Sequence, residues 1–260
     1  MALMEVNKLS KAFGGLVALN NFNLQVEAAE LVGLIGPNGA GKTTVFNILT
    51  GLYRPTSGSL VFDGHDLYGK HPHQITKMGM ARTFQNIRLF DNLSVLDNIK
   101  IAYQAVINYG LLPVFFRVPP FYRVEEQIEE KSLKLLEIFD LKKLAQEKAK
   151  NLPYGEQRRL EITRALATNP KLLLLDEPAA GMNPNETSDL LDLIKWIKDK
   201  FNLSIILIEH DMSLVMRLCE RVIVLDYGSI IAEGPPSEIQ QSPKVIEAYL
   251  GDEEVASWEK

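Results

Sequence analysis

One segment restricts the folds open to this chain of 260 residues more than any other. Gly36-Pro37-Asn38-Gly39-Ala40-Gly41-Lys42-Thr43-Thr44 follows the all-apolar run 31–35 and leads into an apolar-periodic stretch, 43–49. The pattern G-x-x-x-x-G-K-[ST] in that setting predicts a buried strand, a loop that wraps a phosphate, and a helix. Glycine is needed at positions 36, 39 and 41 because side chains there would keep backbone N–H groups from closing around the anion. Lys42 supplies a point charge to the β- and γ-phosphates, the Thr43 hydroxyl suits Mg²⁺, and the helix start adds partial positive charge.

A second apolar run, 171–175, ends in Asp176 and Glu177. Four leucines drive this pair to the edge of a buried sheet, where parallel sheets place their ligands. Asp176 is then expected to hold Mg²⁺ through its shell, and Glu177 to accept a proton from an attacking water. The phosphate loop by itself leaves kinases, GTPases, motor ATPases and transport ATPases open.

The other apolar runs, 204–208 and 221–225, alternate with helical stretches as in a doubly wound α/β sheet. Residues 4–9 and 21–26 read instead as strands of an N-terminal antiparallel unit, the second with clear polar/apolar alternation. Between 92 and 151 the texture becomes helical, with Val124, Ile128, Leu135, Leu136 and Phe139 at helical spacing. Glu125, Glu126, Glu129 and Glu130 are expected in that helix's first turn, where they would complement its dipole. This divides the chain into a core, 1–91 with 152–260, and an inserted helical subdomain, 92–151. The apolar segment 110–122, broken by prolines, is read as a loop packed on the subdomain or as a patch for a partner.

The 28 basic and 33 acidic residues leave a formal net charge of -5, which offers no concentrated positive field for DNA or RNA. A single cysteine, Cys219, makes no internal bridge and reads as a small core hydrophobe, in keeping with a cytoplasmic location. No run approaches the roughly 18 apolar residues of a membrane span. His71 and His73 form an H-x-H pair without companion ligands, so a surface loop is expected there.

Read together with Asn151-Leu152-Pro153-Tyr154-Gly155-Glu156-Gln157-Arg158-Arg159-Leu160-Glu161, the two motifs resemble the nucleotide-binding subunits of ABC transporters. The segment is similar to that family's signature sequence. The resemblance implies a P-loop NTPase core of the ABC type, in which two subunits pack head to tail and the signature of one closes over ATP held by the other. It assigns Tyr154, Gly155 and Glu156 to the opposing nucleotide, with Gly155 at the start of a helix, 156–168. Gln85, in Arg-Thr-Phe-Gln, looks like the Q-loop glutamine that contacts Mg²⁺ and water and senses the membrane partner. His210 looks like the switch histidine at the γ-phosphate, and Phe13 like the aromatic under adenine. Four positions depart from the family pattern: Pro153 stands for a serine, Tyr154 for a glycine, Glu156 for a glutamine, and Asn183 for the aspartate that braces the dimer.

Within the family, residues 81–99, DEPAAGMNP, IEHDM and the terminal Val-Ile-Glu-Ala-Tyr-Leu-Gly are similar to the ATP-binding subunit of branched-chain amino acid importers. That branch implies MgATP, a second ATP-binding subunit (self or paralogue), permease subunits, indirectly a solute-binding protein, and a peripheral position on the cytoplasmic face of the membrane. Related systems that import urea or amides, or move lipopolysaccharide, share these motifs. An ABC-type ATPase without a membrane partner, and a small-molecule phosphotransferase, are the rival readings.

Overall fold

The computed structural model describes residues 2–107 and 119–250; most of the 110–122 segment therefore lies outside the described residues. Two sheets carry the architecture. β1 (Met4–Phe13), β2 (Leu16–Val26), β4 (Ser57–Phe62) and β5 (His65–Asp66) form an antiparallel sheet in the order β2-β1-β4-β5. β3 (Leu31–Ile35), β6 (Met80–Arg82), β7 (Leu172–Asp176), β8 (Ser204–Ile208), β9 (Arg221–Asp226) and β10 (Ser229–Gly234) form the second, ordered β10-β9-β3-β8-β7-β6. All of its pairings are parallel except that of β10 with β9.

The apolar runs form fully buried strands because both faces of this sheet are covered. Leu31 and Ile35, Leu173 and Leu175, Ile205 and Leu207, and Val222 and Val224 face one core, shared with the helices. The alternate residues Val32 and Leu34, Leu172 and Leu174, Ile206 and Ile208, and Ile223 and Leu225 face a second core, built with α1 (Lys42–Leu49) and the antiparallel sheet. Gly33 lies against Cys219, whose Sγ would stand 2.9 Å from a Cβ at that position. Cys219 is buried, and burial pushes its thiol up to about 12, so it packs as an apolar group.

Along the chain between β5 and β7 lie α2 (Pro72–Lys77), then β6, and after it α3 (Val95–Val106), α4 (Pro119–Ile138) and two short 3-10 turns, Lys142–Leu144 and Ala149–Asn151. Val95, Ile99, Leu136 and Phe139 join the same core as β7 and β8, so the insert packs as a continuation of the body. α4 begins at Pro119, earlier than the expected 124, because prolines lack an N–H and fit a helix's first turn. The glutamates consequently lie beyond the first turn, which is without acidic residues, and act by pairing: Glu129 with Lys100 at 3.2 Å, Glu125 with Gln104 at 3.2 Å, and Glu130 with Lys134 at 2.6 Å. The remaining helices are α5 (Tyr154–Leu166), α6 (Pro184–Phe201), α7 (Met212–Leu218), α8 (Pro236–Gln240) and α9 (Pro243–Leu250). Among the described residues, no helix is long and apolar enough to cross a membrane.

Candidate phosphate-loop site

Parallel strands discharge their chemistry at one edge, since the chain leaves each of them in the same direction. Here β3 runs into Gly36, β6 into Thr83-Phe84-Gln85, β7 into Glu177, and β8 into Glu209 and His210. β6 is only three residues long and carries no apolar run, yet its pairing with Leu172–Leu174 brings Gln85 to this edge.

The loop from Gly36 to Gly41 turns tightly over β9. Gly36 has φ 147°, and a Cβ there would meet the Leu225 carbonyl oxygen at 1.9 Å, so only glycine fits. Gly39, at φ 79°, has open space on the side where a Cβ would stand. Pro37 and Ala40 are buried, whereas Asn38 and Thr43 are exposed and Thr44 is half-buried. Ala40 N–H donates to the Pro37 carbonyl at 3.2 Å. α1 starts at Lys42 without any side-chain cap, and the N–H groups of a helix's first turn are those that no carbonyl within the helix can take. The buried Lys42 ammonium donates to the carbonyls of Gly36 at 2.5 Å and Pro37 at 2.9 Å, and so is held inside the loop.

Glu177 is the point where three loops meet. Gln85 Nε2 donates to its Oε2 at 2.7 Å, and His210 Nδ1 stands 3.7 Å from the same oxygen. Its φ of 44° places a bulky residue in the left-handed region, held there by its N–H donating to the Ile208 carbonyl at 2.9 Å. Asp176 is buried and pairs through Oδ2 with Arg82 Nη2 at 2.7 Å. Arg82 is itself held by Asn47 Oδ1 at 2.7 Å and lies over the rings of Phe84 and Phe46.

Phe13 is 42% exposed, edge-on to Tyr53 with ring centroids 5.3 Å apart, and Lys11 Nζ lies 4.7 Å from its ring centroid. Tyr154, Gly155 and Glu156 form the first turn of α5, which starts two residues earlier than expected, with Pro153 as its N-cap. His71 and His73 stack at 5.9 Å, at the start of α2.

Three groups escaped the sequence reading. Arg82 is the first, and Arg158 the second: fully buried, it donates to the carbonyls of Phe84 and Gln85, each at 2.7 Å. The third, Glu209, is 1% exposed and accepts from Ala179 N at 3.1 Å and His210 N at 3.4 Å. Burial lifts its carboxyl to about 7, with the Glu177 charge adding to that and the two N–H donors and His210 opposing it. A signal for Glu209 existed, because it ends an apolar run just as Asp176 does.

The profile of the family described as "ABC transporter" matches residues 19–180, more than half of the chain. The chain belongs to the ABC transporter family. This ATP-binding cassette is 46% identical over 250 residues to the high-affinity branched-chain amino acid transport ATP-binding protein BraF of Pseudomonas aeruginosa, covering 96% of this chain and 98% of the relative. A second family, the branched-chain amino acid ATP-binding cassette transporter, matches residues 229–255. Among solved structures, the ADP conformation of the ATP-binding cassette MJ1267 superposes with a TM-score of 0.84 at 32% identity, over 97% of this chain and all of that one. A dimeric post-hydrolysis state of the cassette MJ0796, bound to ADP and phosphate, superposes at 0.74 with 25% identity over 90% of this chain and 98% of the other. The cassette is thus a nucleotide-binding ABC ATPase subunit of α/β fold.

Proposed function

We propose that this ATPase subunit powers an importer of branched-chain, hydrophobic amino acids, working as a pair of cassettes against membrane permeases on the cytoplasmic face of the membrane. The convergence of Gln85 and His210 on one oxygen of Glu177 carries the catalytic part of this reading. The match of residues 229–255 and the transport role named for BraF support the solute.

In this reading Lys42 and the uncapped start of α1 hold the β- and γ-phosphates, and Phe13 offers its exposed ring to the base. Glu177 draws the proton from the attacking water, while Gln85 and His210 fix the carboxylate's orientation and the water's position. The Thr43 hydroxyl, the free oxygen of Asp176 and the Gln85 side-chain oxygen are hard oxygen donors of the kind Mg²⁺ requires. Bound there, the ion supplies positive charge to the phosphate oxygens. Tyr154, Gly155 and Glu156 meet the partner cassette's nucleotide through the free N–H groups of their helical turn. Residues 92–151 serve as a helical subdomain. A groove of about 470 Å³ beside the Gln85 loop, lined by Phe84, Arg88, Leu89, Phe90, Ile101 and Arg164 among others, is the face offered to the permease.

Glu177→Gln is expected to keep nucleotide binding while turnover falls ~100-fold or more. Equilibrium binding of a fluorescent ATP analogue beside phosphate release reads both quantities, and unchanged release would remove Glu177 as the base. The solute is tested separately, by uptake of labelled leucine, urea and acetamide in cells expressing the chain with the permeases that co-purify with it. Uptake of urea alone would replace the amino acid reading.

A further inference from the structure

The side chain of Tyr154 turns back into its own chain. Its hydroxyl donates to the Ala180 carbonyl at 2.8 Å, and a Cβ on Gly181 would meet the Tyr154 oxygen at 3.7 Å, so the ring lies along the turn that follows Glu177. That hydroxyl also accepts a longer bond, 3.4 Å, from Arg158 Nη2. One donation and one acceptance fully use a phenol's simplest capacity. Arg158, held by Glu161 at 2.8 Å, clamps the backbone of Phe84 and Gln85. On the far side, Glu209 takes the N–H of Ala179, next to Ala180, and the N–H of His210.

These contacts form an unbroken polar path: the Gln85 backbone, Arg158, Tyr154, Ala180 and Ala179, Glu209, His210. We infer that Tyr154, Arg158 and Glu209 are positioning residues that lock the Gln85 loop, the first turn of α5, residues 178–183 and His210 of one chain into a single moving unit. The inference rests on the paired-cassette reading. In a pair, Gln85 and His210 attend the chain's own nucleotide and the α5 turn attends the partner's, so a rigid connection between them couples the two sites. A glycine at 154, the residue of the family pattern, has no side chain to make this connection, which gives the departure a purpose. None of the three side chains has to touch nucleotide for the path to act.

Tyr154→Phe removes the hydroxyl and keeps the ring against Gly181. In the full chain, MgATP hydrolysis measured against ATP concentration is expected to lose cooperativity, its Hill coefficient falling toward one, with a several-fold lower kcat and a thermal midpoint within a few degrees of wild type. Wild-type kcat and Hill coefficient in this variant, or a wild-type chain that hydrolyses without cooperativity, would overturn the inference. Amide hydrogen exchange on the unliganded chain reads the path without hydrolysis. Tyr154→Phe is expected to speed exchange at the amides of Ala179 and His210, which Tyr154 does not touch; a change confined to residues 154–158 would also overturn the inference. If wild type hydrolyses no MgATP while the exchange response at Ala179 and His210 is present, the ATPase-pair reading fails and the path stands.

Discussion

At the scale of single residues, the buried carboxyl of Glu209 makes the clearest prediction. Its ordinary value of 4.5 is raised to about 7, foremost by burial and then by the charge of Glu177, while Ala179 N–H, His210 N–H and His210 itself pull the other way. Cys219 also faces it, as a neutral thiol. From about 4.5 to about 7 the folded chain holds a proton that the unfolded chain has released, so stability falls as pH rises through that window. Above it the whole effect, roughly 3 kcal/mol at ~1.4 kcal/mol per tenfold change in the proton equilibrium, is in place. Glu209→Gln cannot titrate, and its amide oxygen still serves one of the two N–H donors. Denaturant unfolding at pH 5, 6, 7 and 8 is therefore expected to show a flatter decline than wild type. Parallel curves for the two chains would refute a titrating Glu209. What the amino-acid sequence conveyed at this scale was identity and not environment: the glycines and Lys42 stand out because a spacing demands them, and Asp176 and Glu177 because an apolar run ends on them. Arg158 and Arg82 do not, because a surface arginine and one buried against a backbone carbonyl or a carboxylate look alike in a string of letters.

At the scale of elements, residue type and backbone demand coincide best at the start of α6. Asn183 Oδ1 accepts from the N–H groups of Asn185 and Glu186, each at 3.0 Å, and Glu186 Oε2 accepts in return from Asn183 N–H at 3.0 Å. Pro184 stands at the first helical position, where its missing N–H costs nothing. Asparagine and aspartate cap about equally well, so the departure from the family's aspartate leaves the helix intact. Asn183→Ala is expected to lower unfolding free energy by about 1 kcal/mol, and Asn183→Asp to stay within ~0.5 kcal/mol of wild type. Urea titrations of the three chains test this, and an alanine variant as stable as wild type would mean that the cap is dispensable. The elements legible beforehand were those with one dominant signal: β3, β7, β8 and β9 carry continuous apolar stretches because both their faces are buried there. β6 escaped because Met80-Ala81-Arg82 owes its extended form to pairing with β7. The start of α4 was misplaced because prolines were weighed as breakers, although the first turn is where they fit.

At the scale of the whole molecule, the order of elements announced the parallel sheet, but the meeting of the ends of β6, β7 and β8 at Glu177 came only with the fold, which brings together residues as far apart in the chain as Gln85 and His210. The same fold sets the consequence for assembly. The polar contacts of the α5 turn run to the Gln85 loop and to Ala180 of its own chain, so in the paired reading its free N–H groups are offered outward, to a nucleotide held by another copy. The γ-phosphate is the group that distinguishes ATP from ADP at that junction, and a ligand shifts an equilibrium only by its differential affinity for the two states. A tenfold preference would barely move a pair that is scarce without nucleotide, whereas about 10⁴-fold converts a 1:99 population to 99:1. Glu177→Gln holds ATP intact long enough for that preference to register. Sedimentation velocity of this variant is expected to give a dimer in saturating MgATP and a monomer in MgADP or without nucleotide. Adding Gly155→Arg, which sets a bulky side chain beside Glu186 and across the outward turn, is expected to abolish the dimer while ATP binding at the phosphate loop survives. A Glu177→Gln chain that stays monomeric in MgATP, despite binding it, would place the signature turn outside the nucleotide site and remove the basis for the paired cassette.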